Sequence, residues 1–194
     1  PSGKGGLLMT QVEAFATYQR HEAWTWEHQA LLHSRAVAGD SSLCARFEEI
    51  RTEILCQHIR LDRLRDDVLQ MRERMRRELS KAGEGEFDVK QDAGGIADIE
   101  FLAQYWVLTN AGTHPPLVRY ADTIRQLESV GSAALVEHEV IDRLVSIYRD
   151  YRAVIHHASL EGGGRIVKDS DFVSLRAEVT AIWERAFGGG NASV

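Results

Sequence analysis

The segment FDVKQDAGGIADIEFLAQYW, residues Phe87 to Trp106, places a glycine pair and two carboxylates in an otherwise largely apolar stretch. Glycine turns before a helix can bind phosphate, and paired carboxylates can hold a metal ion. A Walker loop ends in GK[ST], and a dinucleotide loop has GxGxxG after a strand; this segment has neither pattern. We therefore predict that Gly94 and Gly95 release the chain into a helix that begins near Gly95 and ends near Asn110.

The predicted helix is apolar on nearly all sides, which is typical of a core helix. Its apolar residues include Ile96, Ile99, Phe101, Leu102, Ala103, Tyr105, Trp106 and Val107. Asp98 falls in the first turn, where a carboxylate favours unpaired N–H groups and the positive end of the helix dipole. Glu100 is expected to be buried, either in a structural ion pair or in the wall of a site. The two acids lie roughly 200° apart on a helix, so they are not expected to share a metal ion.

A second segment, EAWTWEHQALLHSR (residues 22–35), mixes aromatic and charged residues on one helical stripe. The stripe consists of Trp24, Glu27, His28, Leu31 and Arg35. This combination is unusual both for a solvated face and for an apolar core. We hypothesise that two glutamates, Glu27 and Glu100, belong to a polar layer at a cleft or an interdomain surface. The cations of that layer would be Arg35 and Lys90.

Helical patterns continue along the chain, and we predict an all-α fold, a helical bundle of about six to eight helices with no significant sheet. Residues 1–188 are expected to form a single domain, with a possible subdivision at the KAGEGE loop (81–86) and a flexible tail at 189–194. In residues 61–79 one apolar stripe is expected to pack, while the many arginines and acids on the other face are expected to be solvated and to pair with one another.

Local signals set several expected boundaries. Thr10 and Glu13 match a capping box, AGDSS (38–42) ends one helix and caps the next, and Asp122 caps a short helix that ends at Gly131. Ser132 is predicted to cap a long helix from residue 133 to about 160. IVKD (166–169) is too short to predict a strand.

Composition excludes several classes of protein. The 194 residues carry a net charge of −6, which argues against a nucleic-acid binder, and no apolar run is long enough to span a membrane. Cys44 and Cys56 support neither a zinc site nor a disulfide framework, so a cytoplasmic location is expected. Because the chain opens on Pro1 within a loop-like PSGKGGLL, we expect it to be a fragment of a larger multidomain protein.

Several segments resemble one family. Residues 1–40 are similar to the stretch that follows the nucleotidyltransferase domain in bacterial glutamine synthetase adenylyltransferases, and FDVKQDAGGIADIEFLAQYWVL resembles the GGI-x-D/E-IEF motif of the same family. WTWEHQAL, the FD-x-K lead-in and PPLVRYADTIRQLE look more like the C-terminal, adenylylating half than the deadenylylating half. The resemblance covers nearly the whole chain and weakens after EGGGR (161–165).

The resemblance implies an enzyme that transfers AMP from ATP to a tyrosine of glutamine synthetase, with Mg²⁺, and that responds to the PII signal protein and glutamine. The catalytic carboxylates of the family lie in the preceding nucleotidyltransferase domain, which would be a further partner. No catalytic residue and no metal ligand is therefore expected in this chain. Nucleic acid and membrane are not expected as partners. Two alternatives are a regulatory docking module for PII or glutamine synthetase, and the equivalent domain of the deadenylylating half or of a uridylyltransferase.

The candidate residues follow from that implied role. A helical domain beside the catalytic domain can present cations to the triphosphate, aromatic walls to the base, or a docking face to a protein. The residues expected to face substrate or nucleotide are Arg35, Lys90, Gly94, Gly95, Glu27 and Glu100. Trp24 and Trp26 are expected to be either wall or core, and Asp98 and Phe101 are expected to be structural residues of the motif.

Overall fold

The computed structural model describes residues 9–188. Within that range the chain forms eight α-helices and one pair of short strands, which confirms the predicted all-α bundle. The elements are α1 (Val12–His21), α2 (Thr25–Leu32), α3 (Ser41–Gln57), α4 (Leu61–Leu79), β1 (Glu86–Asp88), α5 (Ile96–Asn110), α6 (Thr123–Ser132), α7 (His138–Leu160), β2 (Ile166–Lys168) and α8 (Val173–Gly188). The predicted opening loop at residues 1–8 and the predicted tail at 189–194 lie outside the described residues.

Helix α5 lies at the centre of the core, as its apolar sequence predicted. Ten of its fifteen residues are buried, and it packs against α4, α6, α7 and α8. Leu102, Ala103 and Val107 have no exposed surface. Because α5 packs against these four helices, the turn at its N-terminal end is positioned by several elements at once.

Two of the predicted helix caps, those of α3 and α6, are confirmed, and the two predicted at Thr10 and Ser132 are wrong. Asp40 caps α3 and Asp122 caps α6, each by accepting backbone N–H bonds from the first turn. The Thr10 capping box does not form, since α1 begins without a side-chain cap. The carboxylate of Glu13 instead accepts two bonds from Arg46 of α3, at 2.8 and 3.1 Å. A contact between helices has replaced the local one.

Helix α7 begins more than a turn later than predicted. Ser132 does not cap it, because its hydroxyl donates to the carbonyl oxygen of Glu128 within α6, at 2.8 Å. Ala134 then adopts a φ of 53°, a left-handed conformation that turns the chain between the two helices. Gly131 lies inside α6, where a Cβ atom would be 3.2 Å from the Cγ1 atom of Ile141. The glycine therefore permits close packing of α6 on α7.

Helix α2 ends at Leu32, so its predicted extension through Arg35 is wrong. The side chain of Arg51, from α3, donates to the carbonyl oxygens of Leu31 at 3.1 Å and Leu32 at 2.7 Å. These bonds satisfy acceptors that the next helical turn would have used. Arg35 therefore does not share a helical stripe with Trp24.

The strand at Ile166–Lys168 is a correction, because IVKD was judged too short to count. It pairs antiparallel with Glu86–Asp88, with Phe87 opposite Val167. The sequence could not show this pairing, since a three-residue strand has no usable periodicity and its partner lies far away in the chain. The pairing joins the start of the segment from Phe87 to Trp106, which we call the glycine motif, to the residues before α8.

Helices α1 and α3 are joined by a bidentate ion pair that should be visible in the pH dependence of stability. Arg20 donates to both carboxylate oxygens of Glu53, at 2.7 and 2.8 Å. The hydrogen bonds from Arg20 lower the pKa of Glu53 to about 2. Because the folded-state pKa lies below the unfolded-state value, the pair stabilises the fold at neutral pH, and this contribution is lost as pH falls from about 4.5 to about 2.

We predict that Glu53→Gln lowers the free energy of unfolding at neutral pH by about 1 kcal/mol, since both groups are partly exposed. The difference from the native chain should shrink between about pH 4.5 and pH 2, as measured by urea unfolding at several pH values. Glu49→Gln, on the exposed side of α3, controls for removal of one negative charge. A difference that stays constant down to pH 2 would contradict the prediction.

Candidate functional site

The glycine motif folds into a turn whose backbone is bonded to itself. The carbonyl oxygens of Val89 and Lys90 accept from the N–H groups of Ile96 at 2.9 Å and Ala97 at 3.1 Å. The N–H group of Gly95 donates to the carbonyl oxygen of Asp92 at 3.0 Å. A phosphate loop presents such N–H groups to its ligand. Here they are occupied by the turn, so the motif does not form a phosphate cradle.

Both glycines are required by packing. Gly94 has a φ of 77°, and a Cβ atom there would lie 2.5 Å from the carbonyl oxygen of Arg176 in α8. A Cβ atom at Gly95 would lie 2.6 Å from the carbonyl oxygen of Val89. These distances are shorter than any van der Waals contact, so neither position accepts a side chain without movement of the backbone. The sequence predicted a glycine pair that releases the chain into the helix, and the structure adds that both glycines allow close packing at this turn.

A buried ion pair holds the turn against α4. The Nε atom of Arg72 donates to the Oδ1 atom of Asp98 at 2.6 Å, and each residue is only 1% exposed. The other carboxylate oxygen of Asp98 accepts from the N–H group of Gly94 at 2.7 Å. Arg72 also donates to the carbonyl oxygen of Gln91 at 2.7 Å. Burial lowers the pKa of the Arg72 guanidinium, and the charge of Asp98 opposes that shift.

The C-terminal part of the chain holds the opposite side of the motif. Arg165 donates to the carboxylate of Asp88 at 2.9 Å, and Tyr151 donates its hydroxyl to the carbonyl oxygen of Gly94 at 3.0 Å. The guanidinium of Arg176 lies 4.4 Å from the centre of the Phe87 ring, a cation–π contact. Helices α4, α7 and α8 therefore converge on one short turn.

Lys90 is the one residue between positions 87 and 104 with an exposed side chain. Its backbone N–H group donates to the carboxylate of Asp88 at 3.1 Å, which fixes the backbone from which the side chain extends. The motif thus presents a single cation to solvent while all its other side chains are buried or partly buried. The Lys90 side chain is therefore the part of the motif most accessible to another molecule.

Glu100 differs from its prediction. It is partly exposed rather than buried, and its carboxylate accepts a hydrogen bond from the Tyr148 hydroxyl at 3.1 Å. Among residues 9–188 it forms no ion pair. The buried carboxylate in this helix is Asp98, with the cation of Arg72 as its partner. The role of Glu100 as a wall of a site stays a prediction.

The predicted polar layer does not form within the described part of the chain. Glu27 is buried, but it accepts from the Tyr18 hydroxyl at 2.9 and 3.0 Å and from the backbone N–H group of Trp24 at 2.9 Å. It therefore joins α1 to α2 and meets neither Arg35 nor Lys90. Local bonds inside the N-terminal helices have taken the place of the expected long-range pairs.

The two tryptophans of the second segment lie on the surface. Trp24 is 68% exposed and Trp26 is 47% exposed, so neither is a core residue. They border a small depression of about 180 Å³ together with Met71 and Arg74 of α4. Phe101, by contrast, is buried, in agreement with its expected structural role.

Arg35 lies in a depression of about 530 Å³ that the sequence did not predict. Three further arginines line it: Arg51 of α3, Arg119 of the 3-10 turn Pro115–Arg119, and Arg125 of α6. We call this depression the arginine cleft. Arg119 and Arg125 bracket a tyrosine in RYADTIR, but only the folded chain brings them to Arg35.

Arg72 was also missed, although the sequence held a signal for it. It continues the Leu64–Val68 spacing by four more residues and so lies on the buried stripe of α4. The prediction placed the arginines of this helix on a solvated face because charged side chains are rarely buried without partners. The partner, Asp98, lies in another element.

The acidic side chains of the motif do not fit a magnesium site. Asp98 and Asp88 are bound by arginines, and Glu100 is bound by a tyrosine. Over residues 9–188 no three His, Cys, Asp or Glu side chains are grouped closely enough to hold a metal ion. In the same range, no helix combines the length and apolar character that crossing a bilayer requires.

Sequence comparisons give the family. Residues 1–50 match the family model described as Glutamate-ammonia ligase adenylyltransferase, and residues 62–163, just over half of the chain, match that of GlnD PII-uridylyltransferase. The chain is 43% identical, over 95% of its length, to a protein of Methylococcus capsulatus named bifunctional glutamine synthetase adenylyltransferase/adenylyl-removing enzyme. Proteins of the same name from Pasteurella multocida and Thioalkalivibrio sulfidiphilus are each 42% identical, over 96% and 99% of the chain.

The chain belongs to the glutamine synthetase adenylyltransferase family.

It spans about a fifth of the length of these adenylyltransferases. The family expected from the sequence is thus confirmed, while the half of the bifunctional enzyme that the chain represents stays a prediction. The uridylyltransferase-type match begins in α4 and extends through α5 to α7, so it contains the whole glycine motif. The adenylyltransferase match covers α1, α2 and the first part of α3.

Removal of one partner of the buried ion pair should be strongly destabilising. We predict that Asp98→Asn lowers the free energy of unfolding by about 3–5 kcal/mol, because it leaves the Arg72 charge buried without compensation. Arg72→Leu combined with Asp98→Leu should cost less than the sum of the two single changes. Glu100→Gln is the control and should cost about 1 kcal/mol or less. Urea unfolding measures Asp98→Asn, Glu100→Gln, the two single leucine variants and the double variant, and additive effects of the single leucine changes would show that the two residues do not act as a pair.

The motif glycine can be tested against a glycine of the same backbone conformation. Gly94 and Gly85 have φ values of 77° and 74°, but a Cβ atom at Gly85 would have no neighbour within 4 Å. We predict a loss of about 1–2 kcal/mol for Gly85→Ala, from the left-handed conformation alone. Gly94→Ala should lose about 2–5 kcal/mol, because the clash with α8 adds to that cost. Equal losses in thermal or urea unfolding would contradict the packing explanation.

Proposed function

We propose that this chain is the helical accessory domain of the adenylylating half of a glutamine synthetase adenylyltransferase. In this role it packs beside a nucleotidyltransferase domain that transfers AMP from ATP to a tyrosine of glutamine synthetase, in the cytoplasm. The observation that carries the proposal is the similarity to bifunctional adenylyltransferases over 95–99% of the chain. The internal pairing of the motif carboxylates supports the accessory role, because nucleotidyl transfer needs acidic ligands for Mg²⁺ that these residues do not supply.

The chain would contribute binding and orientation. Mg²⁺, held mostly by residues of the catalytic domain, supplies charge neutralisation at the phosphates of ATP. Lys90 projects from a turn that three helices hold rigid, so a neighbouring phosphate would meet a cation in a defined position. Arg35 would be a second cation that faces the nucleotide. Gly94 and Gly95 serve this role indirectly, by allowing the close packing that keeps the turn rigid.

A second candidate function is protein docking, which the exposed tryptophans favour. Trp24 and Trp26 present aromatic surface close to Met71 and Arg74, a combination common at protein interfaces. Glutamine synthetase, named in the relatives, and the PII signal protein, implied by the family resemblance, are the partners that this surface would meet. Docking and nucleotide orientation can reside on different faces of the same domain.

Lys90 provides the test of the nucleotide-facing role. In the full-length protein that carries this chain, Lys90→Ala should lower the rate of AMP transfer to glutamine synthetase at least about tenfold, through loss of one charge-assisted contact to phosphate. Binding of glutamine synthetase and thermal stability should be unchanged, since the side chain of Lys90 is exposed. Lys81→Ala, an exposed lysine in the nearby loop, is the matched control.

Two results would count against the proposal. Normal AMP transfer with weakened binding of glutamine synthetase would assign Lys90 to docking instead. Appreciable ATP turnover by the 194-residue chain alone would show that the catalytic centre lies within it, and the accessory role would then be wrong.

A further inference from the structure

The arginine cleft is positively charged in a protein whose net charge is negative. Four arginines and two carboxylates line it, whereas the chain as a whole has a net charge of −6. Its remaining lining is almost entirely polar, and its volume lies within the range of small-molecule sites. The charge of the cleft is therefore opposite in sign to that of the whole molecule, and this favours an anionic ligand.

Arg51 forms the floor of the arginine cleft and is a buried cation with little compensation. It is 3% exposed and donates to three carbonyl oxygens, those of Leu31, Leu32 and Val118. Its nearest carboxylate, that of Glu48, lies 3.8 Å away, beyond hydrogen-bond range. The carbonyl groups that accept from this guanidinium are neutral and do not cancel its charge. Arg51 therefore contributes a positive potential to the cleft.

The other three arginines have donors to spare. Within residues 9–188, the side chains of Arg35 and Arg119 form no hydrogen bond or ion pair, and Arg125 reaches only the exposed Asp122, at 3.8 Å. The guanidinium groups of Arg119 and Arg125 lie 5.5 and 5.4 Å from the centre of the Tyr120 ring. A cation–π contact positions a guanidinium without using its N–H donors. Those donors remain free for a ligand.

The wall behind these arginines is held by a chain of hydrogen bonds. Gln29 donates to Gln104, the Gln104 amide contacts His33 at 2.9 Å, and the other ring nitrogen of His33 contacts the carbonyl oxygen of Ala121 at 2.8 Å. The neutral imidazole with its proton on Nδ1 satisfies both of its contacts. These hydrogen bonds connect α2 and the residue before α6 to the central helix α5. The cleft is therefore preorganised for a ligand.

We propose that the arginine cleft binds the polyphosphate group of a nucleotide. Guanidinium groups match phosphate oxygens with two parallel bonds, and several free guanidinium groups favour a ligand with several negative charges. This inference rests on the proposed function for the choice of a nucleotide and extends that function to Arg119 and Arg125. The phosphates could belong to the ATP that donates AMP or to a nucleotide bound separately, and the experiment separates these sources.

Calorimetric titration of the 194-residue chain with inorganic triphosphate and with ATP tests the site directly. Binding should weaken at least about tenfold in Arg119→Ala and in Arg35→Ala, since each loses charge-assisted bonds. Arg77→Ala, an exposed arginine of α4 outside the cleft, is matched in charge and should bind as the native chain does. Arg119→Lys should recover part of the affinity but not all, because lysine lacks the planar fork.

The absence of binding to the native chain would overturn the inference, as would equal weakening by Arg119→Ala and Arg77→Ala. In the full-length protein, Arg119→Ala should raise the KM for ATP if the bound phosphates are those of the substrate. If the KM is unchanged while binding to the chain is lost, the site belongs to a second nucleotide. Both of these results support the cleft, and neither depends on the outcome for Lys90, so the inference can fail separately from the proposed function.

Discussion

The carboxylate of Asp98 is buried against the guanidinium of Arg72, and the positions of the surrounding elements depend on this ion pair. Burying either charge alone would cost several kcal/mol, so each requires the other. The same carboxylate fixes the Gly94 backbone, and the same guanidinium binds the carbonyl oxygen of Gln91. Helix α4, the glycine turn and the start of α5 are therefore positioned together, and none can move without breaking a buried polar contact.

This constraint determines which parts of the adenylyltransferase motif can act on other molecules. The backbone donors of the glycine turn are used internally, and Asp88 and Asp98 are bound by arginines. What the motif offers to its surroundings is Lys90, on a turn held by α4, α7 and α8. The arginine cleft lies further along α5 and is tied to it through Gln104. The exposed lysine of the motif and the arginines of the cleft thus belong to two separate regions around the central helix.

The family, the helical class and the core helix α5 could be predicted from the sequence because each depends on patterns within short segments. Helical periodicity, the caps at Asp40 and Asp122, and the two long motifs do not depend on distant residues. The predicted burial of Glu100 and the predicted pairing of Arg35 in a polar layer were wrong for the opposite reason. Each required knowledge of what surrounds a polar side chain in the fold. Glu100 meets Tyr148, which lies far away in the chain, and Arg35 lies in a cleft whose other arginines come from distant residues.

By itself, the sequence determined that α5 is buried, that its glycine pair is no phosphate loop, and that the chain is an adenylyltransferase-type helical unit. Only the tertiary structure decided that Asp98 rather than Glu100 is the buried acid, that Ile166–Lys168 is a strand, and that Arg119 joins Arg35 in a cleft. The physical reason is that apolar burial follows helical spacing, which is local, whereas charge pairing is set by whichever residues meet when the helices pack.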